Sequence, residues 1–118
     1  MDTEIRSTCL FCKIADKKIN AAFVHEDEDS FSIRDINPQA PTHILIIPRQ
    51  HLKSIAHAMP QDTVLLGKLF EKAAAIAEKE GIKNGFRLVV NTGEDGGQTV
   101  GHLHIHLLAG RPLLWPPG

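Results

Sequence analysis

Near the C-terminus, polar and aliphatic positions alternate strictly through His102-Leu103-His104-Ile105-His106-Leu107-Leu108. Alternation of period two marks a half-buried strand. It sets three imidazoles on one face, about 6–7 Å apart, with Leu103, Ile105 and Leu107 turned to the core. Residues 22–26 and 30–35 read as two further strands around the acidic turn Asp27-Glu28-Asp29, the second alternating Phe31 and Ile33 with Ser32 and Arg34. His43-Ile44-Leu45-Ile46-Ile47 is a continuous β-branched-rich run, as a central strand buried on both faces requires, and Pro48 ends it.

The period becomes helical over about residues 62–80, where Leu65, Leu66, Leu69, Phe70, Ala73, Ala74, Ile76 and Ala77 form a wide apolar stripe. Pro60 suits the start of that helix and Gly81 its stop. Residues 9–15 can form a short helix with Leu10, Phe11 and Ile14 on one side, and residues 86–91 a last strand. The remainder reads as connection: a loosely held arm over 1–8, a proline-punctuated turn at 37–41, irregular chain over 49–59, a flexible loop at 93–99 and an irregular tail over 111–118. The pattern predicts an α+β fold in a single domain over 1–118, an antiparallel meandering sheet of about five strands with one long and one short helix.

Composition narrows the function classes. With 118 residues, 42% hydrophobic and 23% charged, the chain can bury a core without disulfide staples. A formal net charge of -1 gives no basic field for nucleic acid or an anionic membrane. The polar start and the lack of any apolar run near the roughly 20 residues of a membrane span point to a cytoplasmic protein. Cys9 and Cys12, the only cysteines, form a C-x-x-C. In a reducing compartment that spacing suits a metal site, a redox dithiol or two small buried hydrophobes.

Three imidazoles on one sheet face can be a polar surface, a metal ligand pair, or a nucleophile with an acid/base partner on a phosphoryl or acyl substrate. The glycine-rich loop just before them can offer backbone N–H groups to an anion, and Thr99 adds a hydroxyl. It lacks the Lys-Ser/Thr ending of a P-loop and leads into a strand, so together with the histidines it reads as a phosphate cradle. His25 and His57 stand outside any motif and read as surface residues.

Pro38-Gln39-Ala40-Pro41-Thr42-His43, Asn91, Gly96-Gly97-Gln98-Thr99-Val100, the 102–108 motif and Trp115-Pro116-Pro117-Gly118 together resemble the histidine triad (HIT) superfamily, in its HINT branch of purine nucleoside phosphoramidases. The resemblance implies hydrolysis of purine nucleoside 5′-phosphoramidates. His104 would be the nucleophile, and His106 would serve the phosphate and leaving group, helped by Thr99 and the backbone of Gly97 and Gln98. It further implies Asp35 on the ribose, Phe11, Ile14, Ile33, Ile36 and Leu45 around the base, His43, Asn91 and His102 in support, and a homodimer. Zinc-bearing relatives imply a structural zinc on Cys9, Cys12, His51 and His102. A dinucleoside polyphosphate hydrolase and a nucleotide-binding regulatory protein with vestigial catalysis are the alternatives. The chain departs from the pattern at Ile33, where an aromatic is common, at Gly101, where a bulkier residue is common, and at Thr99, where serine is common.

Overall fold

The computed structural model describes residues 3–118. Its elements are α1 (Thr3–Thr8), α2 (Leu10–Ala15), β1 (Phe23–Glu26), β2 (Ser30–Arg34), β3 (Thr42–Pro48), α3 (Thr63–Lys79), β4 (Phe86–Val89) and β5 (Ile105–Ala109), with two short 3-10 turns between β3 and α3. The strands form one antiparallel sheet in the order β1-β2-β3-β5-β4, so β5 inserts between β3 and β4.

β3 is the middle strand, and its sequence explains why. Ile44 and Ile46 pack toward α3 with Leu69, Ala73, Ile76 and Ala77, while Leu45 and Ile47 pack on the other face with Phe11 and Ile14 of α2. A strand apolar at four successive positions, Ile44 to Ile47, can be satisfied only with cover on both sides. The sheet is therefore sandwiched between the long helix and the short one, as the α+β reading expected. α3 ends as its sequence predicts. Gly81 takes φ +73, its N–H donates to the Glu78 carbonyl and that of Ile82 donates to the Ala77 carbonyl, which is a Schellman stop.

Three expectations are corrected. Residues 3–8 of the expected loose arm are helical, and Arg6 ties them down through two bonds to the Asp16 carboxylate at 2.8 and 2.9 Å and a third to the Arg49 carbonyl; residues 1 and 2 lie outside the described residues. The histidine strand joins the ladder only at Ile105. Its last pair is Ile46 with Ile105, and the N–H of Leu103 donates to the Leu52 carbonyl instead. The alternation of faces nevertheless continues upstream, since Leu103, Ile105 and Leu107 all enter the α3 core. His25 is not a surface residue: its side chain is only 12% exposed and its Nδ1 lies 2.8 Å from the buried Ser32 hydroxyl. Among the described residues, no helix is long and apolar enough to cross a membrane.

Candidate active site

The segment entering β5 carries the histidines on the α2 side of the sheet. His102 is fully buried, and its Nε2–H donates to the Pro48 carbonyl at 2.8 Å, so its Nδ1 is left as a lone pair. His104 Nδ1–H donates to the His102 carbonyl at 2.7 Å, which leaves the lone pair of His104 on Nε2. Phe11 packs edge-on against this imidazole, with ring centroids 5.0 Å apart. His106 lies beside it, also 5.0 Å between centroids, and His43 Nε2 approaches His106 Nδ1 to 2.9 Å.

His104 and His106 close one end of a cleft of about 320 Å³, near the lower bound of small-molecule sites. Phe11, Ile14, Ile33 and Leu45 give it an apolar wall, and Asp35, Ile36, Thr99 and Val100 are among the other residues that line it. Ile36 is fully exposed there, an apolar side chain that only a ligand or a partner would cover. Asp35 is already engaged. One carboxylate oxygen accepts the Asn37 N–H at 2.8 Å, and the other lies 3.4 Å from His43 Nε2. Asn91 follows the end of β4 and does not line this cleft.

The glycine loop differs from the expected open cradle. The Gly97 N–H donates to the Glu94 carbonyl and the Gln98 N–H to the Gly93 carbonyl, so both amides are used inside the loop. The Gln98 side chain accepts the Gly93 N–H and donates to the carbonyls of Lys53 and Val100, clamping the loop shut. Gly96 is required by close approach: a Cβ there would sit 2.2 Å from the Thr92 carbonyl oxygen. Thr99 alone of Gly97, Gln98 and Thr99 lines the cleft. The self-bonded loop follows from Gln98, whose amide offers both a donor and an acceptor. The residue was visible in the sequence, but its local partners were not.

Cys9, Cys12, His51 and His102, from three separate stretches of the sequence, bring their ligand atoms within 4.8 Å of one another. Cys9 Sγ is 3.3 Å and Cys12 Sγ 3.5 Å from His102 Nδ1, Cys12 Sγ is 3.3 Å from His51 Nδ1, and the two Nδ1 atoms are 3.1 Å apart. Such edges are near those of a tetrahedron with metal–sulfur bonds of about 2.3 Å and metal–nitrogen bonds of about 2.0 Å. The His102 bond to Pro48 fixes its tautomer from behind, as the outer shell of a metal site does. Burial and the neighbouring Cys9 thiol push the Cys12 thiol up to about 12, so a cation is what would make the Cys12 sulfur ionise. The donor set fits a closed, four-ligand ion.

The HIT domain profile matches residues 16–113. The chain belongs to the HIT domain family. A HIT family hydrolase from Legionella pneumophila superposes with a TM-score of 0.92 at 48% identity, over 94% of this chain and 100% of that one. A HIT-like protein of Synechocystis is 50% identical over 92% of this chain and 96% of its own length. A 14 kDa zinc-binding protein of Zea mays is 47% identical over 95% of this chain and 89% of its own.

In this HIT chain burial holds the site's imidazoles neutral. His102 and His106 are each pushed down to about 4, chiefly by burial, and His104 and His43 are also lowered by burial. A neutral imidazole keeps a lone pair for nucleophilic or ligand chemistry at pH 7. The same burial has a stability consequence. An unfolded histidine titrates near 6.5, so between that pH and about 4 the unfolded chain binds the proton that folded His106 refuses. His106's contribution is complete above pH 6.5 and is lost as pH falls toward 4, at roughly 1.4 kcal/mol per pH unit. Denaturant titrations at pH 7, 6 and 5, with chelator throughout, should show His106→Asn losing stability less steeply than the parent; equal slopes would contradict the buried neutral state.

Proposed function

We propose that this protein is a hydrolase of purine nucleoside 5′-phosphoramidates, working through a nucleotidyl-His104 intermediate. One observation carries the reading: His104 Nδ1–H donates to the carbonyl of His102, so the nucleophilic lone pair is on Nε2 in an imidazole that also lines the cleft. In the first half-reaction Nε2 bonds to the α-phosphorus, the P–N bond breaks, and the amine departs with a proton drawn from water. His104 is then substituted at both nitrogens and cationic, and the His102 carbonyl stabilises that charge through the bond it already accepts. In the second half-reaction water attacks phosphorus and gives up a proton to the hydroxide left by the first step, the P–Nε2 bond breaks, and the nucleoside monophosphate leaves. Dividing one displacement into two is the usual gain of covalent catalysis.

His106, 5.0 Å from His104 between centroids, serves the phosphate oxygens and the leaving group, with the Thr99 hydroxyl beside it. The apolar wall built on Phe11, Ile14, Ile33 and Leu45 suits a purine, and Asp35 in the same cleft suits the ribose hydroxyls. Similarity to a HIT family hydrolase supports hydrolysis as the reaction class.

Cys9, Cys12, His51 and His102 would hold a structural zinc, a reading supported by the fit of the donor set and by similarity to a zinc-binding protein of maize. Four protein ligands leave no open position, so bound zinc would cross-link the start of α2 to the entry of β5 and supply no Lewis acid to the substrate. The homodimer is likewise part of the proposal. Leu114 and Trp115 are 77% and 83% exposed on the tail, apolar surface that a second copy could cover.

Three outcomes are expected. His104→Ala should turn over no adenosine 5′-phosphoramidate while binding AMP within about twofold of the parent, and mass spectrometry of quenched parent enzyme should find AMP on His104; turnover by the variant ends the proposal. Protein purified without chelator should carry close to one zinc per chain, and Cys12→Ser should carry far less and melt several degrees lower; a metal-free parent removes the zinc. Light scattering should give twice the chain mass, and the monomer mass would refute the dimer.

A further inference from the structure

His106 can present either a proton or a lone pair to the cleft, and which one it presents changes its chemistry. A neutral imidazole holds one proton, and its position is set by what the other nitrogen bonds to. Around His43 and His106 those partners form a chain with an unambiguous start. The backbone N–H of Gln39 donates to His43 Nδ1 at 3.0 Å. An amide N–H cannot reverse its role, so His43 Nδ1 is an acceptor and the His43 proton is on Nε2. That nitrogen faces His106 Nδ1 at 2.9 Å and the Asp35 carboxylate at 3.4 Å, both acceptors. His106 Nδ1 thus accepts, and its own proton is on Nε2.

The same amide decides against an ion among Asp35, His43 and His106, whose ligand atoms also lie within 4.8 Å of one another. A metal there would need the Nε2 lone pair of His43. Moving the proton to Nδ1 would set it against the Gln39 N–H, donor against donor.

Gln39 itself is held from the C-terminal tail. Arg111 donates from Nη2 and Nε to the Gln39 carbonyl at 2.9 and 3.2 Å. Gly110 lets it do so: the residue takes φ +98, and a Cβ there would lie 2.8 Å from Cβ of Pro41. On the other side Asn37 is fixed by Asp35, and the Gln39 side chain donates to the Asn37 carbonyl at 3.0 Å. The proline turn is gripped at both ends with its amide aimed at His43.

We infer that Arg111 is a positioning residue which, through the Gln39 amide and His43, keeps His106 as an Nε2–H donor toward the charge that develops on the phosphate. His104 and His106 are then complementary, one with its lone pair and the other with its proton toward the cleft. No proton changes hands at His106; it stabilises charge by a hydrogen bond set before substrate arrives. The catalytic consequence rests on the hydrolase reading given above, and the tautomers do not.

Long-range 1H–15N correlation spectra of histidine-labelled protein at pH 7.5 test both. The parent, without substrate, should show His43 and His106 with protonated Nε2 and bare Nδ1, and His104 the reverse. In Arg111→Ala, His106 should become a mixture of tautomers and kcat on an adenosine phosphoramidate should fall about tenfold at nearly unchanged KM, a fraction of what losing a charge-stabilising donor costs. Arg111→Lys should restore part of both. If the alanine variant does not fold, the parent spectrum and the lysine variant decide. A parent His106 protonated on Nδ1, or variants with parental tautomers, overturns the inference. Expected tautomers in a parent that never forms nucleotidyl-His104 would instead uphold the chain and sink the hydrolase reading.

Discussion

The hydrogen bond from His102 Nε2 to the Pro48 carbonyl is the constraint on which the rest of the site depends. A fully buried imidazole must have its polar atoms satisfied, and leaving one unmet costs on the order of 1–3 kcal/mol. His102 meets that demand in a way that serves three structures at once. Its Nε2–H closes the end of β3, where the chain passes Pro48 and leaves the ladder. Its Nδ1 is thereby committed to the cysteines and His51. Its carbonyl accepts the hydrogen bond from His104 Nδ1–H. The sheet, the Cys/His cluster and His104 meet at one residue.

Phe11 gives a second link among the same parts. It sits between Cys9 and Cys12 in sequence, and its ring packs against both His102 and His104, at 5.9 and 5.0 Å between centroids. The turn of α2 that supplies the sulfurs therefore also supplies the wall behind His104. Residues that would order an ion and residues that would order a nucleotide are neighbours along a few positions of chain.

Much of this was legible from patterning. The β-branched run at 43–47 and most of the stripe from Leu65 to Ala77 enter the core, which fixes the central strand and the long helix, while Phe70 and Ala74 of that stripe stay exposed. The candidate ligands Cys9, Cys12, His51 and His102 and the paired His104 and His106 were named from motif and resemblance, and the fold brings each set together. What stayed hidden depends on partners that spacing does not encode. Nothing local announces that Arg6 would anchor α1, that the Gly97 and Gln98 amides would be used within their own loop, or that His25 would bury against Ser32. These bonds span only 3 to 10 residues, yet the directions of the groups that close them are set by the assembled turns and sheet, which propensity does not encode.

The clamped loop has a consequence for how this region can vary in sequence. Gly93, Gly96 and Gln98 are joined to one another, to Thr92 and to Lys53 by main-chain contacts and by a single side-chain amide. Glu94 and Asp95 sit exposed at the tip between them. The tip can therefore drift in charge and size while its frame cannot, and an inserted residue would unseat Gln98 before it altered any histidine. The loop behaves as a spacer of fixed length: it sets how far Thr99 stands from the sheet, independently of what its outer surface displays to solvent.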